Sequence, residues 1–393
     1  LRVMLWREWS EFIRRSTLIF VLLAGLSVSH AIPARAGMPE RLRLPAGFGI
    51  GYFATAVPDA RSLALGGKGT VFVGTRKSGR VYALVDRDGD GRAEQRYIIA
   101  SGLNMPNGVA FFRGALYVAE NHRIIRFRDI EQHLADPPRP EVVFRTLPHR
   151  RHHGWRYLAI GPDRRLYVSI GAPCNICNEP KPFATICRLR PDGSGFEVYA
   201  EGVRNSVGFT WHPDSGVMWF TDNGRDWLGD HAPPDELNRA EKQGLHFGYP
   251  FLHGRDIVDP EFGNQRQAGR HFTAPAAELD AHVAALGLRF YTGSMFPGRY
   301  RGQLFIAEHG SWNRSTPVGY RIIAVQIEDG KAVSREVFAS GWLHDGRKWG
   351  RPVDLLVMPD GSLLVSDDLH GVVYRIRYQA DDSRSTPADQ ARP

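Results

Sequence analysis

The chain has 393 residues, is 42% hydrophobic and 23% charged, and carries a formal net charge of +8. This is a globular balance with apolar material for a sizeable core, arranged as two or three domains or as one large all-β domain. Lys and Arg are scattered without a basic block, which removes nucleic acid from the expected partners.

Residues 1–36 read as a secretory signal peptide. Arg14 and Arg15 precede the apolar run at 18–26, and Ala34-Arg35-Ala36 supplies a cleavage site. The run is too short to cross a bilayer comfortably, an uncleaved anchor being the alternative. The expected location is periplasmic or secreted, with no stable membrane insertion after cleavage.

From residue 37 to 378 one pattern recurs: a short apolar strand, a Gly/Pro/Asp turn, a second strand, then a third beyond a polar loop. Gly 42 and Pro 26 suit such a series of turns. First strands start near residues 63, 109, 158, 207, 288 and 353, and insertions fall near 225–285 and 292–302. The early spacing of roughly 45–50 residues is that of propeller blades. Six copies of a three- or four-strand meander predict an all-β, six-bladed β-propeller in a single domain, with a pair of β-sandwiches as the competing arrangement. A strand at 49–54 is available to join the last blade and close the ring. Residues 379–393, rich in Asp, Ser, Gln and Pro, read as a disordered tail.

The three cysteines are Cys174, Cys177 and Cys187. In an exported chain one local disulfide is expected, either Cys174–Cys177 or one closing to Cys187. Asn178, where a haem attachment site needs His, excludes that motif. Asp86, Asp88, Asp90 and Glu94 have the oxygen spacing of a calcium loop, although Tyr97 stands at its twelfth position; an acidic hairpin turn is the other reading. No nucleophile elbow, P-loop or dinucleotide fingerprint is present in a suitable context.

In a propeller, the loops entering the innermost strands and those leaving the second strands gather at one end of the channel. The first set offers Asn104, Asn107, His152, His153, Arg156, Arg204, Asn205, His282 and Arg351. The second offers Glu120, Asn175, Asp222 to Arg225, residues 308–314, and Asp367 with Asp368. The excess of Arg suits a polyanionic ligand held by forked hydrogen bonds, and His suits a base that is neutral near pH 7.

Several of these segments carry a family likeness. They are His152-His153-Gly154-Trp155-Arg156 with Gly161-Pro162-Asp163, Gly202-Val203-Arg204-Asn205, Asp222-Asn223-Gly224, Asp235-Glu236-Leu237-Asn238 with Phe247-Gly248-Tyr249-Pro250, and Gly350-Arg351-Pro352. Over most of residues 45–378 the chain resembles the soluble, pyrroloquinoline-quinone (PQQ)-dependent sugar dehydrogenases of the glucose/sorbosone dehydrogenase family. It is closer to the sorbosone branch through Gly171 to Cys177 and Glu308 to Arg314.

The resemblance implies a six-bladed propeller that oxidises an aldose, a sorbosone-like aldehyde or a related sugar. Hydride passes to calcium-bound PQQ, and an external acceptor takes the electrons. It implies His152 as general base beside His153, and Arg204 as the cation at the quinone oxygen. Asn205, Arg314 and Arg351 are the implied cofactor contacts, and Asn107, Asn175 and His282 are expected beside them from their place in the channel loops. Gly224 and Arg225, through their backbone carbonyls, are the implied calcium ligands, and Glu236, in the separate acidic pair Asp235-Glu236, is expected to face a metal ion. The chain departs from the family in having Arg151 and Ala172 where acidic residues are expected, the second being the Asp that supports the base; the paired histidine is then the expected orienting group. Arg314 falls near where a Lys is expected. Two other functions fit such a propeller: a calcium-dependent lactonase using Asn107, Asn205, Glu120 and Asp222, or a non-catalytic binding protein.

Overall fold

The structure is a computed structural model that describes residues 39–379 apart from Gln267. The predicted signal peptide, and the predicted tail beyond residue 379, lie outside the described residues. No helix of the described residues is long and apolar enough to cross a membrane.

Six sheets of the described residues are blades, each with a four-stranded antiparallel core, and two further two-stranded sheets lie in the connections. Blade 1 runs Ala60–Leu65, Val71–Thr75, Val81–Val85, Gln95–Ala100; blade 2 runs Gly108–Phe112, Ala115–Ala119, Ile124–Phe127, Glu141–Phe144. Blade 3 is Leu158–Ile160, Leu166–Ile170, Thr185–Leu189 and Glu197–Glu201, extended by a parallel strand at Leu245–His246. Blade 4 is Phe209–Trp211, Met218–Asp222, Glu236–Ala240 and Ala277–Glu278, and blade 5 is Ala285–Phe290, Leu304–Glu308, Arg321–Glu328 and Lys331–Ala339. Blade 6 takes Pro352–Val357, Leu363–Asp367 and Val372–Tyr378 from the end of the described chain. Its fourth strand is Phe48–Ala54, paired antiparallel from Phe48 opposite Tyr378 onward. The predicted propeller and its closure by the early strand are therefore what the chain forms. Closure leaves no long free sheet edge between first and last blade.

Alternation of side chains explains why the strands read as nearly continuous apolar runs. Val71 and Val73 point into the interface with blade 6, whereas Phe72 between them points into the interface with blade 2. An apolar cluster fills each of the six interfaces between successive blades. Both faces of a blade are buried, so neither needs a polar stripe.

The inner strands must approach closely around the axis. Gly287 shows the demand: a Cβ there would stand 2.7 Å from the Val353 carbonyl oxygen and would also overlap the Asp354 carboxylate. Near the axis Val207, Leu286 and Val353, with Trp155 against them, form a small apolar plug. Leu286 and Trp155 also line the pocket described next.

Candidate active site

At one end of the channel the loops surround a cavity of about 310 Å³. Blade 1 contributes Arg61 from its inner strand and Arg76 from the loop after its second strand. The segment entering blade 3 brings His152, His153 and Trp155, and the segment entering blade 4 brings Arg204 and Asn205. The loop leaving the second strand of blade 4 adds Asn223, Gly224 and Asp226, with Asp235 beyond it. His282 precedes the inner strand of blade 5, His309 and Trp312 follow its second strand, and Arg351 precedes blade 6.

The histidine loop is tied down from below. Asn121 donates to the carbonyls of Arg150 and Gly154 at 2.7 and 2.8 Å. Arg156, 1% exposed, donates to the carbonyls of Asn121, His153 and Pro148. Arg156 is thus a stitch under the loop and does not line the cavity. Its burial lowers its guanidinium to about 10.

The loop holds His153 in left-handed backbone at φ 47°, a conformation that costs energy for a residue with a Cβ and recurs at functional sites. His153 Nδ1–H donates to the Ala172 carbonyl at 2.8 Å. That bond fixes the tautomer and leaves Nε2 as the unprotonated nitrogen. Burial, then the neighbouring Arg204, holds the ring neutral well below its ordinary pKa. His152 is exposed and meets His153 edge-to-face, with ring centroids 4.1 Å apart; partial burial and Arg204 lower its pKa as well. The sequence suggested that the paired histidine orients the base. His152 does meet its neighbour, and His153 is itself oriented by the Ala172 backbone carbonyl.

Arg204 is 4% exposed and immobilised. Nε and Nη2 grip the backbone and side-chain oxygens of Asn175, both at 2.8 Å, while Nη1 donates to the Asn223 carbonyl at 3.1 Å. Asp226 completes the grip at 3.3 Å. Asn175 sits in the loop closed by the Cys174–Cys177 disulfide, one of the two predicted pairings; Cys187 is free and buried. Tyr249 Oη accepts from the Cys177 backbone N–H at 2.9 Å and ties that loop to the insertion between the third and fourth strands of blade 4. Asn175 therefore positions Arg204 and does not itself line the cavity.

Opposite lies a second charged network. Arg61, 1% exposed, donates to Asp368 at 2.9 Å and to Asn107 Oδ1 at 3.0 Å. His309 Nε2 lies 2.9 Å from the other Asp368 oxygen, and Arg351 donates to the carbonyls of His309 and Gly310. His309 and the neighbouring arginines hold Asp368 ionised against the cost of its burial, far below the usual carboxylate range. Burial lowers Arg76 and Arg351, and Arg61 lowers both further. The cavity wall carries Arg61, Arg76, Arg204 and Arg351 against the carboxylates Asp226 and Asp235. Two buried donors on lining residues, Arg76 Nε and Trp155 Nε1, have no hydrogen-bond partner. Unpaired buried donors in a cationic pocket are what an anionic ligand with several oxygens would satisfy.

A cavity of about 10 Å³ adjoins the pocket, sharing Arg204, Asn223 and Gly224 with it. Asp222 and Glu236 face it. That is room for one water-sized occupant. Asp222 accepts from the backbone N–H groups of Arg204 and Asn205 at 2.7 and 2.6 Å, and Glu236 accepts from Gly254 N–H at 2.7 Å. Burial raises both carboxyls; Asp222 further raises Glu236, and Asp235 raises each of them. Paired buried carboxylates beside a backbone-lined void are a hard-oxygen donor set of the kind calcium takes.

Of the residues expected from sequence, His152, Arg204, Asn205, Gly224, His282 and Arg351 line the pocket, and Glu236 lines the adjoining void. Asn107 is fully buried, its amide spent on Arg61, Ser62 and the Arg156 carbonyl. The Arg225 side chain is buried in ion pairs with Asp259 and Glu261, at 2.6 and 2.8 Å. Arg314 donates to the Ala281 carbonyl at 3.2 Å and is not among the lining residues. Glu120, wanted by the lactonase reading, is engaged by the Asn104 backbone and by Arg123. Sequence reasoning missed Arg61 and Arg76. Arg76 follows a second strand and was within reach of the loop argument; Arg61 lies inside an inner strand, where only its charge amid apolar neighbours marked it. The oxygens of Asp86, Asp88, Asp90 and Glu94 lie within 4.8 Å of one another, in a turn joining the third and fourth strands of blade 1. By topology that is the opposite end of the propeller.

The fold is shared with carbohydrate-active family AA12 from Trichoderma reesei in its calcium structure, at TM-score 0.73 and 21% identity, covering 86% of this chain and 97% of that one. It is shared also with the pyranose dehydrogenase PQQ domain from Coprinopsis cinerea, at 0.72 and 17%, covering 86% and 97%. The PQQ-bound aldose sugar dehydrogenase from Streptomyces coelicolor aligns at 0.61 and 20%, covering 85% and 99%. In sequence the chain is 35% identical over 366 residues to an uncharacterized protein of Borreliella burgdorferi, covering 90% of this chain and 95% of that one. Residues 54–390 match a family described as Domain of unknown function (DUF7133), and the chain belongs to that family.

Proposed function

We propose that the protein is a quinoprotein dehydrogenase, periplasmic or secreted, that oxidises an aldose, a sorbosone-like aldehyde or a related sugar with PQQ and calcium. The observation that carries the reading is the convergence on a single cavity of four guanidiniums and of His153, a neutral histidine whose tautomer is fixed by its bond to the Ala172 carbonyl. The fold neighbours, two of which are named for PQQ, add support.

The residues divide the work. Arg61, Arg76 and Arg351 would hold the carboxylates of the tricarboxylic cofactor, with Arg204 left for an oxygen that gains negative charge. Asp222 and Glu236, with backbone around Gly224, would hold a divalent cation. When bound, the calcium-polarised quinone supplies the hydride acceptor. His153 Nε2 takes the hydroxyl proton as the carbon gives up its hydride, so that the alcohol becomes a carbonyl and two electrons pass on to an external acceptor. This moves the base one residue from the sequence expectation of His152, because, of the two adjacent histidines, only His153 has its ring orientation and tautomer set by a hydrogen bond. His152 then borders the substrate.

The test is reconstitution of the purified protein with PQQ and calcium, following reduction of an artificial acceptor across aldoses, polyols and sorbosone-like aldehydes. Quinone-dependent turnover on at least one is expected. Failure to bind the quinone overturns the proposal. Tight binding without turnover on any of them leaves the binding propeller as the better reading.

A further inference from the structure

Two of the largest side chains in the protein stand in solvent at the mouth of the pocket. Trp227 and Trp312 are each 67% exposed, and Trp312 lines the cavity. We propose that they form a second saccharide subsite, so that the enzyme acts on the terminal ring of an oligosaccharide whose next ring rests on the two indoles. The proposal rests on the dehydrogenase reading above and names its substrate class.

The indoles meet edge-to-face, with centroids 5.4 Å apart and planes at 84°. The edge of one covers part of one face of the other, so a right-angled aromatic corner remains open. The corner is braced. Ser315 N–H donates to Asp230 at 3.0 Å, Asn313 reaches Asp226 at 3.5 Å, and Arg314 donates to the Ala281 carbonyl at 3.2 Å. The Trp312 loop is thereby pinned to the Trp227 loop and to the start of blade 5. Arg314, expected as a cofactor contact, takes part in this bracing.

An exposed aromatic side chain forgoes the free energy that burial would return, and here two are two-thirds exposed on a braced rim. Something that covers them recovers part of it. The chemistry of the corner selects the occupant. Indole faces carry the negative end of the ring quadrupole, and the C–H bonds on the flatter face of a pyranose present positive hydrogens to it. The hydroxyls around such a ring stay in reach of water, and Asp226, which Asn313 of the same loop meets, is a polar group beside the corner. A docking surface for a protein would need about 800 Å² per partner, and two side chains fall far short of it.

The experiment compares cellotetraose, maltotetraose and xylotetraose with glucose and xylose. Binding to the quinone-free protein is read from tryptophan fluorescence, and KM from acceptor-coupled turnover of the loaded enzyme. At least one tetraose is expected to bind about tenfold more tightly than its monosaccharide, the ratio given by roughly 1.4 kcal/mol of stacking. Trp227→Ala and Trp312→Ala should each reduce that ratio towards one, and Trp312→Phe should retain most of it. A wild-type ratio of one across the panel, or a ratio that survives both alanine variants, overturns the proposal. So does a loss of quinone affinity with the ratio intact, which would make the indoles a cover for the cofactor. Because fluorescence reads binding without turnover, tetraose preference with no quinone-dependent activity would sink the dehydrogenase reading and leave the subsite standing.

Discussion

Replacing His153 with Ala should lower kcat far more than replacing His152. Loss of a positioned general base costs about 10²–10⁴ in rate, or roughly 2.7–5.5 kcal/mol of activation free energy. His153 has the attributes that make such a loss large: a tautomer set by its 2.8 Å bond to the Ala172 carbonyl, and a ring kept neutral by burial and by Arg204. His152 contributes an edge-to-face contact with that ring. Such a contact is worth about 0.5–1.5 kcal/mol, so His152→Ala should cost no more than about tenfold. Stopped-flow reduction of the bound quinone at saturating sugar isolates the step, and quinone affinity measured alongside reports whether each variant keeps its pocket. Since the folded ring takes up a proton only well below its ordinary pKa, the acid limb of kcat should lie below pH 6.5. The sign for stability is the same: the unfolded chain protonates first, so this residue costs stability only as pH falls below about 6.5. A larger loss in His152→Ala than in His153→Ala, or an acid limb at or above pH 6.5, would refute the assignment.

Three further outcomes are expected. Glu236→Gln should abolish the calcium-dependent rise in thermal stability, which at a hundredfold excess over Kd is about 2.7 kcal/mol in the wild type; retention of that rise would move the ion elsewhere. Cys174→Ser with Cys177→Ser should loosen Asn175 from Arg204. The fold should survive and quinone affinity should fall by about tenfold, as loss of one charged hydrogen bond's worth of positioning implies; unchanged affinity would show that the loop holds its shape without the bridge. Gly287→Ala should destabilise the folded state by about 1–3 kcal/mol in urea unfolding, because the added methyl meets the Val353 carbonyl and Asp354.

The architecture was legible because each blade buries both faces, leaving short apolar runs separated by turns at regular spacing. Even the closing strand at Phe48–Ala54 announced itself as an apolar run with no blade of its own. The ends of the strands carried the site for a topological reason: alternate loops must emerge at the same end. What stayed hidden was which polar residue at that end faces the cavity and which supports another. Asn107 and Asn175 have the right address, yet their amides are occupied by Arg61 and Arg204. The partnership of Arg61 with Asp368 joins residues 307 apart in the chain, and no local pattern encodes it. The base proposed above differs by one residue from the expected one for a similar reason. Two adjacent histidines look alike in sequence, and only the left-handed turn at His153 and the Ala172 carbonyl separate their roles.

The most direct measurement is an anaerobic titration of the purified, quinone-free protein with PQQ in the presence of calcium, followed by addition of sugar. Saturation at one equivalent, weakened by at least tenfold in Arg351→Met, and bleaching of the oxidised quinone spectrum by a sugar in the wild type but not in His153→Ala are the predicted results. Absence of saturable binding, or bleaching that is as fast in His153→Ala as in the wild type, would contradict the assignment of this pocket as a quinoprotein active site.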